Sequence, residues 1–198
     1  MKVRVAILSL FTLITGCAFG TRGVNLTYGE RVTTQVAPSG TRGRLAIAQF
    51  SDGRPDDERE RLGRIRNLYG IPTASVVAEQ NPVLWVSDGI ARALEARGYQ
   101  VSRVRSSVDA KGSPVLSGVV KKVYSGMYMG MEADIAADVE IMHSQAKVAS
   151  TQCSGKATKT AWTGSASEFE AVFQDAMDAF INDCVPRLVE PIDHAISR

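Results

Sequence analysis

Residues 132–143, EADIAADVEIMH, determine the fold of this chain because their polarity alternates with a period of two. In an extended strand, successive side chains point to opposite faces. One face would carry four apolar side chains and the other three acidic ones: Ile135, Ala137, Val139 and Ile141 against Asp134, Asp138 and Glu140. This alternation is typical of an antiparallel sheet with one buried face and one solvent-exposed face.

Four lysines in the neighbouring predicted strands have charges complementary to these acids: Lys121, Lys122, Lys156 and Lys159. We expect them to pair with the acidic residues across the solvent-exposed face. Each such cross-strand pair contributes roughly 0.2–1 kcal/mol to stability.

Two helices and four further strands accompany this segment. Patterns of polarity predict strands over 44–50, 99–104, 115–124 and 151–162. One helix begins at Asn81-Pro82, where asparagine caps the helix and proline is a favoured first residue. It ends at Gly98, since glycine readily adopts the left-handed conformation that terminates a helix. The other opens with a capping box formed by Ser167 and Glu170, and Pro186 interrupts it. The sequence therefore predicts an α+β fold, a mainly antiparallel sheet of about five strands with two helices packed on one face.

The N-terminus has the pattern of an export signal. Lys2 and Arg4 precede an apolar run over 5–14, which is ten residues long. That length lies within the ~7–15 residues of a signal peptide and below the ~20 of a membrane-spanning helix. The following Ile14-Thr-Gly-Cys17 resembles a bacterial lipobox, which implies acylation of Cys17, cleavage before it and stable anchoring by two or more acyl chains. The alternative is an ordinary signal peptide with a chance cysteine.

This interpretation divides the chain into three parts. Residues 1–16 are the predicted signal peptide, 17–43 the lipidated cysteine and a tether, and 44–198 a single α+β domain in the periplasm. Cys17 is followed by Ala18 and not by aspartate. By the sorting rule known for enteric bacteria, this points to the outer membrane.

Charge and cysteine content exclude some classes of function. Without residues 1–16 the chain holds 21 basic and 21 acidic residues, so the basic excess of a nucleic-acid-binding protein is missing. Cys153 and Cys184 form an even pair in an exported protein, where they are a disulfide, two buried thiols or half of a metal site. No histidine lies at metal-ligand spacing from either, so we predict no metal and no cofactor. A short turn sends the last helix back along the last strand and brings the two cysteines to the same end, which favours the disulfide.

No pattern of catalytic residues is present, and we predict that the chain is not an enzyme. His143 and His194 belong to no nucleophile motif. Asp134 and Asp138 would lie about 13 Å apart along a strand, too far for a glycosidase pair.

Two segments are candidates for binding a protein partner. The first is the stretch over 51–81, which is long for a connection and includes Asp52, Arg54, Asn67 and Tyr69. The second is the methionine-rich hairpin over 124–131, with Met127, Tyr128 and Met129. Its methionines either complete the core or form an adaptable apolar patch for a partner or an acyl chain.

With these residues in hand, the chain resembles the YajG-type family of bacterial outer-membrane lipoproteins. The resemblance is carried by Ala133-Asp-Ile-Ala136, the strand over 156–164, the helix over 169–181 and Ala96-Arg-Gly-Tyr99. It implies an anchored periplasmic domain that binds or builds something, with no catalytic residues to carry over. We therefore expect a membrane-anchored, non-enzymatic assembly or accessory subunit that binds another envelope protein. The alternative is a lipid-binding or transport-auxiliary lipoprotein with an apolar groove at the methionine-rich hairpin.

Overall fold

The structure is a computed structural model, and it describes residues 20–28, 42–106, 110, 112–161 and 163–197. The predicted signal peptide and Cys17 lie outside the described residues. The described residues form nine strands: β1 (Gly20–Val24), β2 (Gly43–Ala48), β3 (Ser51–Asp52), β4 (Gly63–Arg66), β5 (Pro72–Ala78), β6 (Tyr99–Val104), β7 (Val115–Met127), β8 (Met131–His143) and β9 (Ala146–Lys159). They also form three helices: α1 (Asp56–Arg59), α2 (Pro82–Glu95) and α3 (Ala166–Ile196).

Strand β7 is the centre of one curled, mixed sheet. On one side it pairs antiparallel with β8, which pairs antiparallel with β9. On its other side it pairs in parallel with β2, β3 and β4 at its beginning, middle and end. Strand β6 extends the sheet beyond β2, and β5 and β1 extend it beyond β4.

The predicted α+β class is confirmed, but a mainly antiparallel sheet of about five strands is wrong in its details. The sheet is mixed and larger, because the stretch over 51–81 is not a long loop and contains β3, α1, β4 and β5. These strands have only two to seven residues, and none of them shows a sustained alternation of apolar and polar residues, so a sequence pattern does not reveal them. Residues 20–28, within the predicted tether, likewise pack on the domain: β1 pairs with β5, and Val24, Leu26 and Tyr28 are buried.

The solvent-exposed face of the sheet carries the predicted charge pairs. Lys122 Nζ lies 2.8 Å from Asp134 Oδ2, and this hydrogen bond raises the pKa of Lys122. Lys121 lies 3.6 Å from Asp138, and Lys156 lies 3.6 Å from Asp134. A β-bulge at Lys121 breaks the alternation of β7, so that two consecutive lysines reach acids on the same face. Lys159 is the exception, since it pairs with Asp175 on α3.

Helix α3 packs on the other face of β8 and β9. The aromatic rings of Phe169, Phe173 and Phe180 are fully buried in the core between the sheet and the helices. Gly155 of β9 lets the helix backbone come close, because a Cβ at this position would lie 2.2 Å from the amide nitrogen of Phe180. The interface between the sheet and α3 is therefore densely filled.

The beginning of α2 matches the sequence prediction. The Asn81 side chain accepts a hydrogen bond from the amide of Val83 at 2.9 Å, and Pro82 is the first helical residue. Gly98 follows the helix with a φ of +92°, the left-handed conformation that glycine adopts without strain.

Both predicted ends of the last helix are wrong. The capping box is formed by Ser165 and Glu168, not by Ser167 and Glu170, so α3 begins two residues earlier than expected. Pro186 does not interrupt α3, which continues through Pro186 and Pro191 to Ile196. Burial of Leu188 and Ile192 against the domain compensates for the backbone hydrogen bonds that proline removes.

Candidate functional site

Two hairpin tips lie side by side at one end of the sheet. Six residues of six strands are aligned in one row across this end: Gly20, Ala74, Ile65, Met127, Met131 and Lys159. The connection between β4 and β5, residues 67–71, extends beyond this row. So does the connection between β7 and β8, residues 128–130. We call these eight residues the tip surface.

The tip surface gathers most of the exposed apolar side chains of the described residues. Six large apolar side chains are exposed, and five belong to it: Leu68 (78%), Tyr69 (88%), Ile71 (58%), Tyr128 (49%) and Met129 (84%). The sixth, Leu84, lies on α2 and follows the opposite end of β5. Apolar side chains scattered singly on a surface need no explanation, but a cluster of this kind marks a site of interaction.

Local hydrogen bonds give the first tip a defined shape. The side-chain oxygen of Asn67 accepts from the amides of Tyr69 and Ile71, both at 3.0 Å. Gly70 has a φ of +76°, and its carbonyl accepts a hydrogen bond from Arg66 at 3.0 Å. These hydrogen bonds fix the backbone of the turn, in which the side chains of Leu68, Tyr69 and Ile71 are exposed.

The second tip is also a tight turn. The amide of Tyr128 donates to the carbonyl of Gly130 at 2.9 Å, and Met129 has a φ of +55°. The methionine-rich hairpin therefore combines both alternatives left open by its sequence: Met131 is buried in the core, whereas Met129 is exposed.

A shallow groove of about 540 Å³ runs along the base of the two tips. Its charged lining consists of Arg64, Arg66, Lys159 and Glu132, so cationic groups outnumber acidic ones. The ring of Tyr124 also lines the groove, and Lys122 Nζ lies 5.8 Å from the centre of that ring.

The structure brings five of the seven predicted partner-binding residues to this end of the sheet and leaves two elsewhere. Asn67, Tyr69, Tyr128 and Met129 belong to the tip surface, and Met127 lines its groove. Asp52 pairs with Val120, seven residues along β7 from Met127, which is about 23 Å. Arg54 is only 3% exposed and is held by hydrogen bonds to Asp52 and Glu58, so it contributes to folding and offers no surface to a partner.

The structure contains the disulfide between Cys153 and Cys184. The two Cα atoms are 4.9 Å apart, and the bond joins β9 to α3 across 31 residues. Both cysteines are buried in the core.

A second groove, of about 510 Å³, lies at the opposite end of the sheet. His143 and His194 both line it, together with Lys147. These histidines are 51 residues apart in the sequence, so no local pattern predicts their proximity. They share a groove because α3 packs along the sheet and ends near the end of β8. Among the residues that the structure describes, no group of three His, Cys, Asp or Glu side chains could hold a metal ion.

No family model matches this chain, and no curated protein matches it. Solved structures do share its fold. Protein XCC0632 from Xanthomonas campestris, of the DUF330 family, is 16% identical and superposes with a TM-score of 0.50 over 86% of this chain and 97% of that one. A structure described as an uncharacterized protein is 7% identical and has a TM-score of 0.52 over 86% and 99% of the two chains.

Bacterial lipoproteins are also among the matching structures. Lipoprotein GNA1162 from Neisseria meningitidis is 10% identical, with a TM-score of 0.40 over 75% of this chain and 99% of that one. The identities are low throughout, so the likenesses at a TM-score of 0.50 and above show a common fold and leave function to be argued from this chain. None of the described helices is both long and apolar enough to cross a membrane.

Proposed function

We propose that this chain is a lipoprotein of the bacterial envelope, anchored by lipid at Cys17 in the outer membrane with its domain in the periplasm. There it acts as a non-enzymatic assembly or accessory subunit that binds another envelope protein. The export pattern of residues 1–16 and the lipobox-like Ile14-Thr-Gly-Cys17 support the anchor.

The observation that carries the role of an accessory subunit is the solid packing between sheet and helices. Proteins that carry a lipid or another small molecule enclose it in a cavity of roughly 300–1,000 Å³. Here the corresponding space is filled by Phe169, Phe173 and Phe180. At Gly155 the helix backbone leaves too little room even for a methyl group. The opposite face of the sheet carries paired charges and is open to solvent, as in a protein that works through its surface.

The alternative function, lipid binding in a groove at the methionine-rich hairpin, has one observation in its favour. A groove is present there, and Met127 and Met129 line it. However, Arg64, Arg66 and Lys159 line it as well, and an acyl chain enclosed there would desolvate these charges at high cost. We therefore prefer the accessory subunit.

Site-specific photo-crosslinking in intact cells tests this choice. We would place a photo-reactive amino acid at Lys156, on the charged face of the sheet, and in a second variant at Arg187, on the exposed side of α3. At least one position should yield a protein adduct of a single mass. The matched control is the same probe in a Cys17→Ser chain, which should lose the adduct because the domain is no longer held at the membrane.

Lipid analysis of the purified protein separates the two functions. An accessory subunit should retain only the acyl groups attached to Cys17. If both probes gave no protein adduct and the protein retained one further lipid per chain, the alternative function would replace the one proposed here.

A further inference from the structure

We propose that the tip surface lies against the lipid bilayer, so that the anchored domain touches the membrane at a second place. This inference rests on the lipid anchor at Cys17 in the proposed function. It goes further, because a second contact with the membrane would fix the orientation of the anchored domain. The tip surface would then contact the membrane, although its two segments were predicted from the sequence to bind a protein partner.

The first observation is the position of β1. Gly20 begins β1 and is paired with Ala74, in the row of residues from which both tips extend. Strand β1 then runs away from the tips, because it is parallel to β5, which itself leaves the first tip at Pro72. The chain therefore enters the domain at the tip end of the sheet.

The second observation is the length of chain that remains between the anchor and the domain. Cys17 is three residues before Gly20, and three fully extended residues span at most about 11 Å. Neighbouring strands are about 4.8 Å apart, so β4 lies about 10 Å and β7 about 14 Å from β1 across the sheet. Acyl chains on Cys17 would thus bring the headgroup region within reach of both tips.

The third observation is the chemistry of the exposed side chains. Leu68, Ile71 and Met129 are apolar, and each is more than half exposed. Tyr69 and Tyr128 combine an apolar ring with a hydroxyl group, the combination that is enriched where a bilayer meets water. Amphipathic helices with such side chains sink about 5–10 Å into the boundary between headgroups and acyl chains, and we expect a similar depth for the side chains of the tip surface.

The fourth observation is charge. Arg64, Arg66 and Lys159 line the groove at the base of the tips, at the level that headgroup phosphates would occupy. Two acidic groups oppose them there: Glu132 lines the same groove, and Asp175 pairs with Lys159. The surplus is therefore cationic, which favours the anionic lipids of bacterial membranes.

Two points of attachment would orient the domain. With the tips in the membrane, the long strands β7, β8 and β9 stand roughly upright. The thirteen residues of β8 then place the connection between β8 and β9 about 40 Å from the bilayer. The charged face of the sheet would face sideways, accessible to other proteins at the membrane.

Spin-label depth measurements test the proposal. They use the lipidated full chain in vesicles of phosphatidylethanolamine, phosphatidylglycerol and cardiolipin. Labels are attached to Tyr69→Cys and Met129→Cys, each of which adds one cysteine to the chain. Acylation of Cys17 and the disulfide leave no other thiol free. The matched control is Leu84→Cys, which replaces the exposed apolar residue at the opposite end, with Ala146→Cys as a second control. All four positions are exposed, so the variants should fold.

On reconstitution, the collision rate of a water-soluble nickel complex with the labels at 69 and 129 should fall several-fold, while dissolved oxygen still reaches them. The two control labels should remain accessible to nickel. Vesicle-bound protein whose tip labels stay accessible to nickel would overturn this inference and leave the lipid anchor intact. The tip labels could instead be shielded from nickel in native envelope vesicles but accessible in pure lipid. This result would show that a protein covers the tip surface, and it would also overturn this inference. Mass spectrometry that finds Cys17 without acyl groups would overturn the proposed function and this inference together.

Discussion

At the scale of single residues, Arg54 shows how a charged side chain becomes structural. Its guanidinium donates to both carboxylate oxygens of Asp52, at 3.0 and 2.8 Å, and to the carbonyl of Glu58 at 3.0 Å. The side chain is buried, and Arg59 donates a hydrogen bond to its carbonyl at 2.9 Å. These contacts hold the segment between β3 and β4, which has a short helix and few apolar residues to stabilise it.

Replacing Arg54 with alanine should therefore lower the free energy of unfolding by about 2–3 kcal/mol, because it removes charge-assisted hydrogen bonds and leaves the Glu58 carbonyl without this donor. The matched control is Arg61→Ala. Its side chain lies 3.7 Å from Asp57 in a partly exposed pair, and its loss should cost less than about 1 kcal/mol. Urea denaturation monitored by circular dichroism measures both values. Equal losses in the two variants would show that the buried network does not stabilise the fold.

The pair of Arg54 and Asp52 also predicts a dependence of stability on pH. The hydrogen bond from Arg54 holds the pKa of Asp52 below its ordinary value. A carboxyl group whose pKa is lower in the folded state stabilises the fold above its unfolded pKa of about 3.9, and this contribution disappears as the pH falls through the folded pKa. The stability difference between wild type and Arg54→Ala should thus be constant from pH 7 to 5 and shrink below pH 4. A difference that does not change down to pH 2 would contradict this assignment.

At the scale of elements, α3 depends on a cap that lies two residues before the predicted one. The Ser165 side chain accepts from the amide of Glu168 at 3.3 Å, and Glu168 Oε2 accepts from the amide of Ser165 at 2.9 Å. Ser165→Ala should cost about 1 kcal/mol in the free energy of unfolding. Ser167→Ala, at the residue that the sequence pattern favoured, should cost a few tenths. Chemical denaturation of the two variants decides between the caps, and the reverse order of effects would restore the original prediction.

The disulfide secures the other part of α3 to β9. In the chain-entropy model, a bond that closes a loop of 31 residues stabilises a protein by roughly 3–4 kcal/mol. The double variant Cys153→Ala, Cys184→Ala should unfold at a correspondingly lower urea concentration, and a reducing agent should lower the stability of the wild type but not of the variant. Thiol titration shows when both sulfurs are free. If the reduced wild type were then as stable as the oxidised protein, the disulfide would not have this role.

At the scale of the whole molecule, the lipid anchor that we propose at Cys17 would determine where the domain is. Replacing Cys17 with serine should release the protein from membranes, because it removes the residue that would carry the acyl chains. Fractionation of cells, together with incorporation of labelled palmitate, measures the effect. Cys153→Ala is the control for general thiol chemistry and should stay on the membrane. Association that is unchanged by Cys17→Ser would remove the basis for the anchor.

What the sequence determined by itself is the local structure that short patterns encode. The alternation over 132–143 predicted β8 and its charged face, and Asn81 with Pro82 predicted the start of α2. The short turn between the last strand and the last helix predicted that Cys153 and Cys184 lie at the same end and form a disulfide. Each of these depends on neighbours in the chain or on a single turn, where spacing decides the geometry.

Only the tertiary structure decided what depends on contacts between distant segments. The parallel pairing of β7 with β2, β3 and β4 joins segments that are distant in the sequence. Of these strands, β2 was predicted from its sequence, whereas β3 and β4 have only two and four residues and are too short to be recognised alone. The continuation of α3 past Pro186 likewise depends on burial against the sheet. The tip surface is the clearest case: Tyr69 and Met129 are 60 residues apart in the sequence, and they share one surface because β4 and β7 end at the same edge.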